Sequence, residues 1–161
     1  MFFTSYLLIR YWLWNKNIIN HFDSNSKHVK KIIFFGIGSA ILLSIHSIFL
    51  GIKFDYAIYK LFRRVVLLCF IIFELIAQTY LVIIFYSFKE KLLNYINPIF
   101  LKCKLILVSL LIITALISIP VISMPGNTFL KHALEWDYFV AIISFYLLTY
   151  FMWKNPHTHT G

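Results

Sequence analysis

Four stretches of this chain are apolar almost without interruption, each about 20 residues long, the length a helix needs to cross a hydrocarbon layer about 30 Å thick. The apolar residues run continuously rather than in stripes of period two or 3.6, so no water-facing side is set aside. In lipid, every backbone amide must be satisfied within its own segment, which leaves helices as the reading. Runs of this length are also about twice what a barrel strand requires. The predicted spans are 32–52, 65–88, 105–124 and 135–153, joined by short connections. Short connections make neighbouring helices antiparallel, so the expected fold class is an all-α membrane protein, an up-down bundle of four transmembrane helices.

Composition excludes the soluble alternative. Of 161 residues, 61% are hydrophobic, 19% aromatic and only 13% charged, whereas a soluble domain carries about 25% charged residues. The net charge of +9 does not point to nucleic acid. Its lysines and arginines sit between the apolar runs, where they anchor loops to anionic headgroups. The expected partner is the lipid bilayer, and so thin a bundle points further to a homo-oligomer or a larger membrane complex.

Residues 1–31 are expected to form an interfacial segment. Met1 to Trp14 is apolar but short, and Arg10 interrupts it. The charge is not N-terminal and no small-residue cleavage site follows, so this is not the pattern of a cleavable signal. Phe2, Phe3, Tyr6, Tyr11, Trp12 and Trp14, mixed with Arg10 and Lys16, suit the headgroup region. Residues 154–161 form a tail containing His157 and His159. With both termini in the cytoplasm, ten basic residues lie inside and five outside, the orientation that the positive-inside rule favours. In that count Lys102 and Lys104 belong to the second loop. A bacterial inner membrane is favoured over a eukaryotic endomembrane. Cys69 and Cys103 would lie near opposite membrane faces, too far apart for a disulfide.

Ionisable residues inside a span are the sharpest functional signal, since each costs roughly 2.5 to 3.5 kcal/mol at the bilayer centre. Glu74 lies near the middle of the second span, with Gln78 one turn away on the same face. His46, with Ser39 and Ser47 near its face, is expected within about one turn of Glu74 in depth, close enough to pair with it across the first two spans. Gly36, Ala40 and Ser44, at four-residue spacing, read as a packing face. At the external mouth of the fourth span stand His132, Glu135, Trp136 and Asp137, of which His132 and Glu135 share a helix face. Trp136 and Trp153 bracket that span at both headgroup levels. Pro125-Gly126-Asn127-Thr128 reads as a turn leading into it, and Pro120 as a kink in the third span.

No Gly-rich phosphate loop, nucleophile elbow, Cys-x-x-Cys or His-Glu-x-x-His occurs. Neither a metal nor a cofactor is expected.

His132-Ala-Leu-Glu-Trp-Asp-Tyr-Phe139, followed by Phe145-Tyr146 and Leu148-Thr149-Tyr150, resembles the closing helix of the damage-regulated autophagy modulator family and its relatives in GPI-anchor lipid remodelling. The resemblance rests on Glu135-Trp136 entering a last helix rich in Phe and Tyr, and covers roughly 20 residues of the chain. That family has six spans where four are read here, and its earlier helices do not match. The resemblance implies a role in lipid or membrane trafficking.

Three functional readings follow. One is a non-enzymatic membrane protein that binds lipid or a partner and uses its polar residues for packing; the lack of motifs favours it. Another is a proton-linked transporter or channel subunit with Glu74 and His46 on the path. The remaining one is a membrane-embedded lipid-modifying enzyme using His132 and Glu135.

Overall fold

With no water to bond their backbones, the apolar runs become helices. The computed structural model describes residues 2–22, 27–50, 56–93, 95–123 and 128–154. These form α1 (Phe2–Phe22), α2 (Lys27–Leu50), α3 (Ala57–Ser87), the single turn α4 (Lys89–Leu92), α5 (Pro98–Ser123) and α6 (Thr128–Met152). Among the described residues, three helices are long and apolar enough to cross a membrane: His28–Phe49 in α2, Leu61–Ser87 in α3 and Pro98–Ser118 in α5. The apolar stretch of α6, Trp136–Met152, is shorter. The chain divides into two units, 1–81 and 82–161, with α3 running through the division.

In the first unit α2 lies between α1 and α3. Trp12 of α1 meets Gly36 of α2 at a point equally far from the connection joining the two helices, so the pair is antiparallel. Ser5, Trp12, Asn15 and Ile19 of α1 are buried, as are Val29, Ile32, Gly36 and Ala40 of α2. Their spacing alternates between three and four residues or multiples of it, the pattern of a coiled-coil seam. The segment expected at headgroup level is thus helix α1. Its Trp12 reaches Gly36, eight residues into the candidate span of α2. On the other side of α2, Phe73 of α3 packs edge-on against Phe35, ring centres 5.2 Å apart. Phe49 at the end of α2 meets Phe62 near the start of α3 at 5.1 Å.

The second unit is organised by a second antiparallel pair. Leu101, Lys104, Val108, Leu111 and Ser118 of α5 are buried, as are Tyr138, Ile142, Phe145, Thr149 and Met152 of α6. Steps of three and four again mark a seam. It is closed at one end by backbone: Asn97 N–H donates to the Met152 carbonyl at 2.8 Å, and Lys154 N–H to the Tyr95 carbonyl at 2.9 Å. At the other end the Tyr138 hydroxyl donates to the Leu111 carbonyl at 3.3 Å.

All four helices that carry predicted spans start earlier than their apolar runs, and in α3 and α5 the added turns bring in basic residues. Asn97 Oδ1 accepts from the Ile99 N–H at 3.0 Å, and Pro98, which has no N–H to leave unsatisfied, opens α5 seven residues before the expected boundary at 105. In α3 the basic residues Lys60, Arg63 and Arg64 are helical, ahead of the run expected from 65. Helix geometry continues past the apolar stretch because caps, not hydropathy, decide where a helix begins. Pro120 lies within α5; the expected turn at 125–127 lies outside the described residues.

Candidate functional site

Glu74 is fully buried, as are Ser39 and Gln78. The Ser39 hydroxyl donates to Glu74 Oε2 at 2.6 Å, across from α2 to α3. Gln78 Nε2 donates to Oε1 at 3.0 Å from one turn along the same helix. The Ser39 oxygen also lies 2.8 Å from the Gly36 carbonyl, within reach of its proton. Both carboxyl oxygens are therefore engaged by side chains of the chain itself. Local sequence explains the placement: Gly38, next to Ser39, lets Phe73 of α3 approach the α2 backbone, so Ser39 comes within a short side chain's reach of α3.

It is Ser39 that stands at the depth of Glu74. His46, half-buried, follows seven residues later on α2, about 10 Å further along the axis at 1.5 Å per residue. Ser44 and Ser47 turn their hydroxyls back to the carbonyls of Ala40 and Leu43 on their own helix.

A second buried polar contact holds the α5–α6 seam. Lys104 Nζ donates to Thr149 Oγ1 at 2.6 Å and stands over the Phe145 ring, 4.1 Å from its centre. The Thr149 hydroxyl in turn donates to the Phe145 carbonyl at 3.0 Å. Lys104 is fully buried, and both of these neighbours are neutral. The amino group is met by a dipole and by the negative face of a ring. Sequence reading placed Lys104 in the second loop, among the basic residues that anchor loops to headgroups. The structure corrects this: α5 begins at Pro98, so Lys104 is two turns inside the helix and occupies a seam position. The signal was present in Asn97-Pro98, a helix-start pair that moves the boundary ahead of both Lys102 and Lys104.

The outer-mouth residues are not brought together by anything described. His132 and Glu135 belong to α6, but their side chains lie outside the described residues. Trp136 is exposed and edge-on to Phe139, ring centres 6.1 Å apart. Asp137 is exposed on a shallow cleft of about 230 Å³ that also involves Leu110, Thr114 and Tyr138. Trp153, half-buried, pairs its backbone with Ile96 in an isolated antiparallel bridge. His157 and His159 are outside the described residues. Cys69 and Cys103 are free thiols, both half-buried. Among the described residues, no group of three or more His, Cys, Asp or Glu stands ready to hold a metal ion.

Comparison with family models, with curated proteins and with solved structures finds no match to this chain.

Proposed function

We infer that this chain is a four-span integral membrane protein that works by binding lipid or a protein partner, with its intramembrane polar residues serving as contacts between helices. One observation carries the reading. Glu74 has both carboxyl oxygens occupied by Ser39 and Gln78, and all three residues are fully buried. A carboxyl group that ferries protons or ions must exchange partners with water or a substrate. This one is enclosed by its own helices, the arrangement of an interhelical contact in lipid. Lys104 is enclosed in the same way by Thr149 and Phe145.

The fourth span is α6. Its stretch Trp136–Met152 covers about 25 Å at 1.5 Å per residue, and its seam with α5 carries it alongside a longer apolar helix. Four spans from α2 to α6 bring the chain back to the side on which α2 begins, and the basic-residue count supports the cytoplasm as that side. A lipid-related role also agrees with the resemblance of α6 to the closing helix of the autophagy-modulator and GPI-remodelling proteins.

The test is flux. Purified protein is reconstituted into liposomes carrying a pH gradient, and gradient decay is followed for the wild type and Glu74→Gln. Decay equal to that of empty liposomes in both cases is expected. A wild-type leak that Glu74→Gln abolishes overturns the reading in favour of proton-linked transport.

A further inference from the structure

The second unit contains a cavity of about 310 Å³ at the α3–α4–α5 turn, bordered by Tyr86, Lys89, Glu90, Leu93, Leu101 and Lys102 among others. Its level in the membrane follows from the helices that form it. The candidate span of α3 ends at Ser87 and that of α5 begins at Pro98. Lys89 and Glu90 therefore lie just beyond the hydrocarbon, and Lys102 about one turn inside it. Leu93 and Leu101 add apolar wall beside these charged groups. Lys89 Nζ is held over the Tyr86 ring, 4.8 Å from its centre, which fixes one cation at the mouth. The single carboxylate at the rim, Glu90, is outnumbered by the two lysines. On the face of α5 that carries Lys102, Ile99 and Ile106 are exposed, an apolar track that runs along the helix into the bilayer.

From this geometry we propose that the cavity binds the headgroup of an anionic phospholipid, its phosphate between Lys89 and Lys102 and its acyl chains along α5. The proposal rests on the reading of the chain as a lipid-binding membrane protein and names the lipid class and the site. Charge selects the class: two lysines against one glutamate favour a headgroup with net negative charge over a zwitterionic one. The apolar track running from the cavity into the bilayer selects a lipid over a free anion, which has no chain to lie along it.

Delipidated full-length protein in a neutral detergent is titrated with phosphatidylglycerol or phosphatidylcholine, and bound lipid is counted by native mass spectrometry. Phosphatidylglycerol is expected to bind one per chain and more tightly than phosphatidylcholine. In the Lys89→Gln/Lys102→Gln variant its affinity falls roughly fivefold for each lysine removed. A Lys16→Gln/Lys30→Gln control, which removes the same charge elsewhere, keeps wild-type affinity. Lys89→Arg/Lys102→Arg keeps it too, which separates lost binding from lost folding. Wild-type affinity in the glutamine pair overturns the proposal, as does an equal loss in the control. Displacement of the lipid by millimolar inorganic phosphate overturns it in favour of a free-anion site. If both lipids bind alike and neither variant matters, the site falls while the lipid-binding reading stands; if neither lipid binds, the site and the lipid half of that reading fall together, leaving a protein partner.

Discussion

Ser39 of α2 and Glu74 of α3 are joined by a 2.6 Å hydrogen bond at full burial, and the Ser39 oxygen is equally within reach of a backbone carbonyl of its own helix. The Ser39 hydroxyl has one proton for two acceptors. An amide at position 74 suits this arrangement. Its N–H would donate to Ser39, the Ser39 proton would go to Gly36, and its carbonyl would accept from Gln78.

Glu74→Gln is therefore expected to unfold within about 0.5 kcal/mol of the wild type. Glu74→Leu should lose about 1 to 2 kcal/mol, since it strands the Gln78 amide in an apolar interface. Thermal unfolding in detergent separates the two. A glutamine variant as damaged as the leucine variant would mean that the contact depends on something an amide cannot supply.

Lys104 and Thr149 lead to an asymmetric expectation. Thr149→Val removes the hydroxyl that faces a buried amino group and should cost about 1 to 3 kcal/mol. Lys104→Met keeps the volume and leaves the Thr149 hydroxyl bonded to the Phe145 carbonyl, so its stability should equal or exceed that of the wild type. In a Lys104→Met background the cost of Thr149→Val should shrink to a few tenths of a kcal/mol, because the group it stranded is gone. Additive costs in the double variant would contradict the contact.

At Gly36 an added methyl would fall onto the Trp12 ring at a separation that real side chains do not tolerate. Gly36→Ala is expected to lower stability by about 1 to 3 kcal/mol. Pairing it with Trp12→Leu, which clears the space, should recover most of the loss relative to Trp12→Leu alone. Chemical unfolding followed by Trp fluorescence reads the first variant and circular dichroism the second.

The all-helical class and the three longest apolar segments were legible because lipid leaves a backbone so few options. Helix starts were less so, since hydropathy marks where the chain enters hydrocarbon while Asn97 and Pro98 mark where α5 begins. This placed Lys104 in the second loop and kept it from being read as a buried contact. Helix α1 was obscured for a different reason. Its seam residues Ser5, Trp12, Asn15 and Ile19 mix polar with apolar, so neither an apolar run nor a clean amphipathic stripe announces it. Glu74 and Gln78 were found because a carboxyl group in a span is conspicuous. Ser39, their partner from α2, was named only as lying near the face of His46, because serine recurs along α2 at 39, 44 and 47 and carries no such signal.

Gly36 and Gly38 sit two residues apart on α2, so the faces they open point in nearly opposite directions, about 200° around the axis. Trp12 approaches one of them and Phe73 the other. A turn of α2 by about 30° would slide each notch more than 1 Å from under its ring, at a backbone radius of about 2.3 Å, and bring a bulkier position into each. The helix is keyed on both sides like a shaft, and torsion about its own axis is blocked. Any motion passed along α2 has to be a shift along its length or a tilt shared with α1 and α3.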